Sequence, residues 1–229
     1  GAEGPATGAD AGASDVSAVD PGDEDDRVDP PTGATTTEPT ATEADGQPGD
    51  VAIDPAYAVD PPGRRTGSIV PADILVQDAE PLPDTVVAGV RGLDGVEEAL
   101  PLSVSQVVLE NKIYTIAAVD PGEYRRFTAR DSADLQAQWE RVAAGEVAAS
   151  PELRKQLPVD ADGFFPLRMN PAVPRLHVGA WAPQVEGIDL VVNTAVGEAL
   201  GMARDNALVV STGQTAPQAL REPLADVIG

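Results

Sequence analysis

Where the charge sits most constrains what this 229-residue chain can fold into. Residues 1–50 hold 13 Asp and Glu against one basic residue, Arg27, a local net of −12, so about half of the formal net charge of −23 lies in the first fifth of the sequence. That stretch has no aromatic residue and few large aliphatics, being built of Ala, Gly, Pro, Thr and Asp. Ordering a residue costs roughly 1–2 kcal/mol of backbone entropy, and this composition buries too little apolar surface to offset it. An apolar-Asp-Pro phrase recurs at Val19-Asp20-Pro21, Val28-Asp29-Pro30, Ile53-Asp54-Pro55 and Val59-Asp60-Pro61. Each proline removes a donor and biases the residue before it towards extended backbone. Residues 1–67 are therefore expected to form a disordered acidic stalk, with Val51, Ile53 and Tyr57 the side chains able to reach back to a folded body.

Residues 68–229 contrast with it. They are rich in Val, Leu, Ile and Ala and carry both Trp, all the Phe and both Met, enough for one ordinary core. A strand is expected over 74–76. A helix starts at Pro83-Asp84, with Val86, Val87, Val90 and Leu93 at helical spacing, and stops at Gly95. Two β-rich runs, 100–109 and 113–119, flank Glu110-Asn111-Lys112, where Asn111 suits a tight turn, which predicts a hairpin. A helix over 132–144 with Leu135, Trp139 and Val142 on its apolar face ends at Gly145. A shorter one over 150–157 takes Ser150 as its cap and Pro151 as its first residue. Strands follow at 164–167, 176–181 and 188–192, then a helix at 194–200 closed by Gly201, a strand at 207–211 and a last helix over 217–228. The order gives an α+β fold, a mostly antiparallel sheet covered by helices, over residues 68–229.

The reactive residues are few. There is no cysteine, which removes a thiol nucleophile, a thiolate zinc site and a disulfide framework. His177, the single histidine, lies on the alternating run Leu176-His177-Val178-Gly179-Ala180, and its plain reading is a half-exposed strand residue. No serine sits in a Gly-x-Ser-x-Gly elbow. Asp160-Ala161-Asp162-Gly163 has calcium-loop residue types, but its Gly comes fourth and position twelve is Pro171, so it reads as a polar turn. Glu97-Glu98 and Asp23-Glu24-Asp25-Asp26 read as solvated charge runs. Gly-rich phosphate loops are lacking. No catalytic, metal or cofactor residue is assigned, and no cofactor is expected. Phe164 and Phe165, between a turn and two prolines, and Trp181, just before Pro183, are the candidates for a partner-binding edge.

The acidity argues against nucleic acid and anionic lipid, which need clustered Lys and Arg. The sequence has no run of 18 apolar residues and so no membrane span. It starts at Gly rather than Met, so a targeting segment is expected outside it. A Thr, Pro and Asp-rich stalk ahead of a folded domain is typical of secreted and surface proteins, which predicts an extracytoplasmic location.

Trp139-Glu140-Arg141-Val142-Ala143-Ala144-Gly145-Glu146 followed by Ser150-Pro151-Glu152-Leu153 resembles a passage of the extracytoplasmic domain of FtsX/MacB-type ABC permeases. Gly95-Val96, Gly179-Ala180, Val191-Val192-Asn193, Ala199-Leu200-Gly201 and Asn206-Ala207-Leu208-Val209-Val210 are similar to other parts of it. Comparable domains precede the catalytic domain of secreted cell-wall peptidases. The resemblance implies a non-catalytic domain that binds an envelope protein or cell-wall component, or positions an enzyme. Membrane helices flank the permease domain, whereas these 229 residues run from the expected stalk to an expected soluble helix ending at Gly229, so the hydrolase context is the expectation. A small-molecule or glycan-binding module with a pocket at Phe164, Phe165 and Trp181 is the alternative.

Overall fold

The computed structural model describes residues 55–165, 167 and 175–229. Residues 1–54, most of the expected stalk, lie outside them, as do Pro166 and residues 168–174.

The centre of the molecule is built from short runs that are buried at every position and apolar at nearly all of them. Leu190–Asn193 (β7) and Ala207–Ser211 (β8) are buried throughout, as is Val147–Ala149 (β4). A strand apolar on both faces must be covered on both faces. The remaining strands are Ile74–Gln77 (β1), Glu98–Leu109 (β2), Lys112–Val119 (β3), Phe164–Phe165 (β5) and Leu176–Trp181 (β6). Together they form one eight-stranded sheet in the order β1-β8-β2-β3-β7-β4-β6-β5. Only β3 with β7 and β4 with β6 run parallel, so the sheet is mostly antiparallel and the fold is α+β, as the element order predicts.

Side-chain alternation divides the core between the faces. Ile116, Ala118, Val147, Leu190 and Val192 pack on one side, with Tyr114 and Phe165. Ala117, Val119, Ala148, Val191 and Val209 pack on the other, against Tyr124, Phe127 and Trp139. A third cluster joins Leu208 and Val210 to Val87 and Val90 of Asp84–Arg91 (α1) and Leu224 of Arg221–Ile228 (α6). Each fully buried Val or Leu contributes roughly 1.5–3 kcal/mol.

The hairpin forms as expected. Glu110 and Asn111 both take positive φ, 47° and 65°, the requirement of the two-residue turn whose twist matches its strands. Thr194–Leu200 (α5) is closed by Gly201 at φ 77°. Gly197 lies so close to β3 that a Cβ there would overlap the Ala118 methyl, which lets helix and strand meet.

Three elements depart from expectation. The predicted helix over 132–144 is broken into Arg130–Asp134 (α3) and Gln136–Ala143 (α4), preceded by Pro121–Tyr124 (α2). Leu135, placed on its apolar face by spacing, is the break and is 53% exposed. Side-chain bonds flank that break: Trp139 Nε1 donates to the Ser132 carbonyl at 2.9 Å across it, and Gln136 Nε2 to the distant Pro62 carbonyl at 2.6 Å. The helix at 150–157 is a 3₁₀ turn, Pro151–Lys155, and the Ser150 hydroxyl makes no capping bond. The third concerns residues 55–67, expected as the last part of the stalk: Tyr57 reaches back to the body, as its apolar ring allows, and bonds at Pro62 and Gly63 hold the rest of the run there as well. The Tyr57 ring joins the core, and Asn193, fully buried, caps α5 through Oδ1 while its Nδ2 donates to the carbonyls of Tyr57, Val142 and Ala143. One side chain thus ties this run to the ends of two helices, a long-range bond that a Pro-rich composition does not reveal.

Candidate functional site

The β5–β6 end of the sheet carries every residue that the sequence marks for partner binding, and the only imidazole. Antiparallel pairing sets Phe164 opposite His177 and Phe165 opposite Leu176. Phe165 is fully buried among Ile116, Leu190 and their neighbours, so it is a core residue and not part of an exposed edge. The cause is register: consecutive strand residues face opposite sides, so only one of the pair reaches solvent. Phe164 is half-buried, its ring 5.0 Å from that of His177 and under the Arg175 guanidinium at 5.3 Å. Trp181 is also half-buried, packed against the core with Arg154 over its ring at 5.3 Å. Both exposed ring faces thus have a cation beside them.

His177 departs from the half-exposed residue expected. Its side chain is 15% exposed and its Nδ1 lies 3.2 Å from Glu146 Oε1. Glu146, 3% exposed, is held by Arg141, whose Nη2 donates to Oε1 at 3.0 Å and whose Nε donates to Oε2. Gly179 makes room for the pair: a Cβ there would fall on the Glu146 carboxylate and within 2.9 Å of Arg141 Nε. On the other side, a Cβ at Gly163 would meet His177 Nε2 at 2.8 Å. The imidazole is enclosed by a carboxylate, a phenyl ring and backbone, and no hydroxyl is bonded to it among the described residues. Arg141 and Glu146 therefore form a closed ion pair that His177 Nδ1 joins at hydrogen-bond distance. Sequence reading missed Glu146. Its only trace was glycine at both places where the cluster needs space.

The Asp160-Ala161-Asp162-Gly163 segment is a polar turn, as its spacing predicts. Asp160 Oδ1 accepts from the backbone N–H of Asp162 at 3.0 Å and of Phe164 at 2.9 Å, and Oδ2 pairs with Arg175. Glu98, read as part of a solvated run, instead forms a two-pronged ion pair with Arg126, at 2.8 and 2.7 Å. Strand pairing with β8 brings it there, which adjacency in sequence could not show.

Solvent meets large apolar groups elsewhere, at the tip of the hairpin. Val107, Leu109, Tyr114 and Ile116 turn one face into the core. On the opposite face Val108 and Ile113 are cross-strand partners, 66% and 64% exposed. The hairpin is anchored beneath them by Tyr114, whose hydroxyl donates to the Gln156 carbonyl at 3.3 Å. Sequence alternation marks the inward residues but cannot say that the helical layer stops short of the outward ones.

Among the described residues, no helix is long and apolar enough to cross a membrane. No protein-family model matches the chain, and no curated protein matches it in sequence. Solved structures similar to it include the periplasmic region of MacB from Actinobacillus actinomycetemcomitans, 11% identical over 66% of this chain and 73% of that one, with a TM-score of 0.33. Another is "a domain of a putative Permease protein" from Porphyromonas gingivalis, 18% identical over 66% and 70% of the two chains, with a TM-score of 0.30. Both TM-scores lie below 0.5.

Proposed function

We propose that residues 55–229 are a non-catalytic extracytoplasmic domain that engages an envelope protein through the tip of the β2–β3 hairpin. The observation that carries this reading is the apolar pair Val108 and Ile113, in register and open to water on a hairpin whose other face is locked into the core. Two adjacent β-branched side chains on a rigid, twisted ribbon present preformed apolar area, so little ordering entropy opposes binding. The acidic, Pro and Thr-rich composition ahead of the domain supports a location outside the cytoplasm. An ABC-permease-like protein or a cell-wall hydrolase is the setting proposed for it.

The test compares the intact chain with a Val108→Asp, Ile113→Asp variant as bait for an envelope extract, after thermal melts confirm equal folding. A partner held by the native chain and lost by the variant is the expected result. Equal recovery by both baits, or no recovery by either, would sink the reading. Burial of Phe165 removes one wall of the pocket that a glycan-binding module would need, which favours the protein-binding reading.

A further inference from the structure

Away from the hairpin tip, the run 62–67 and the α2 segment enclose a groove of about 510 Å³ lined by Arg64, Arg125 and Arg126 with one carboxylate, Glu123. Such a concentration of guanidinium is unexpected in a chain with 15 basic residues and a net charge of −23. The three arginines are in different states. Arg126 is saturated by Glu98, with Glu123 at 3.5 Å. Arg64 is exposed and has no hydrogen bond or ion pair among the described residues.

Arg125 is the unusual one. It is 3% exposed, yet its bonds go to neutral acceptors only, Gln136 Oε1 at 2.9 Å and the Gly63 carbonyl at 2.7 Å, and its Nε is buried with no partner. Buried charges in folded proteins are paired, because the low dielectric otherwise penalises them. Nearby Asp134 is bonded to Arg65 at 2.7 Å, so that carboxylate is already committed. The groove therefore holds positive charge that its neighbouring carboxylates offset only in part, in a concave, partly desolvated place where fields are focused.

We infer that this groove binds the carboxylate side chains of an acidic peptide segment of a partner, with Arg64 and Arg125 supplying the positive charge. A guanidinium fork matches a carboxylate in geometry. Backbone N–H cradles are the usual phosphate device, and here two successive N–H groups of the α2 turn at the groove, those of Gly122 and Glu123, are already given to Asp120 Oδ1 at 2.8 and 3.0 Å. With those two donors taken, the exposed Arg64 guanidinium is the charged group left open at the groove, which favours a carboxylate ligand.

A tetramethylrhodamine-labelled hexa-aspartate probe, titrated with the intact chain in about 20 mM salt where screening is weak, tests this by fluorescence anisotropy. Saturable binding is expected. Arg64→Ser should weaken it about fivefold, the scale of one exposed charge pair, and Arg64→Glu should abolish it. Inorganic phosphate should displace the probe only in large excess, and the Val108→Asp, Ile113→Asp variant should bind as the native chain does. Lack of saturable binding, equal affinity in the Arg64 variants, or displacement by phosphate at the probe's own carboxylate concentration would each overturn the assignment. The hairpin variant separates this test from that of the proposed function.

Discussion

Arg141 and Arg125 are both drawn into the body of the protein, and they differ in what meets them. Arg141, on α4, finds Glu146 at the start of the adjoining strand, and the carboxylate in turn takes His177. Arg125, between α2 and α3, finds an amide oxygen and a backbone carbonyl. Coulomb attraction satisfies the first charge internally, and the second keeps its field for whatever enters the groove. Burial lowers the pKa of Arg125, and the like charge of Arg65 adds to the effect, with only a weaker opposing pull from Asp134. A charged side chain buried with its partner is thus a structural device, whereas one buried without a partner marks a surface with unused binding potential.

The largest expected effect is on the closed cluster. Glu146→Gln leaves Arg141 without its counter-charge at a site where the carboxylate is 3% exposed. The Arg141 side chain is 22% exposed and can turn to water, so the cost falls below that of a fully buried pair, at about 2–3 kcal/mol, which a chemical denaturation curve would read directly. A loss below about 1 kcal/mol would make the cluster a surface pair and erase the contrast with Arg125.

Tyr124 offers an uncharged counterpart beside Arg125. Its hydroxyl accepts from the Val185 N–H at 3.2 Å, and burial pushes its pKa well above the usual phenol range. A folded-state pKa above the unfolded value contributes stability that is complete below the unfolded pKa, near 10, and is lost as pH rises towards the folded value. Stability should therefore fall above about pH 10 by up to about 1.4 kcal/mol per pH unit from this group. Tyr124→Phe should remove that part of the slope in a pH series of melts. An unchanged slope would mean that water reaches the ring.

Arg125→Met comes next. Removing a desolvated charge is favourable and stranding its two acceptors is not, so a net change of about 1 kcal/mol or less is expected. A cost as large as that of Glu146→Gln would show that Arg125 is as fully paired as Arg141. Smallest of all, Arg64→Ser should leave stability within about 0.5 kcal/mol of the native chain, so that any change in anion binding reads the groove alone.

Local pattern made much of the fold legible. The hairpin at Glu110-Asn111, the stop at Gly201 and the continuous apolar runs of β7 and β8 all follow from turn chemistry and side-chain periodicity acting over a few residues. What escaped depends on distant partners. Leu135 has helical spacing, but the helix breaks there, beside Gln136, whose side chain bonds the distant Pro62 carbonyl. Residues 55–67 read as the end of a stalk from their Pro and Asp content, with Tyr57 marked as able to reach back, but nothing local announces the Asn193 bond that holds it. Asn206 shows the same limit: it bonds both the N–H and the carbonyl of Val104, at 2.7 and 3.0 Å, where β2 has left β8 and turned to β3. The candidate site divides likewise. Phe164, Phe165 and Trp181 were visible as rare aromatics, whereas their burial, the Glu146 partner of His177 and the pairing of Arg126 all required strand register.

Guanidinium Nε–H resonances of the intact chain, followed during addition of unlabelled hexa-aspartate, test the contrast most directly. The signals of Arg64 and Arg125 should move with a common saturating dependence on peptide concentration while that of Arg141 stays in place. Movement of Arg141, or a stationary Arg125, would contradict the distinction between a charge closed within the fold and one left open to a partner.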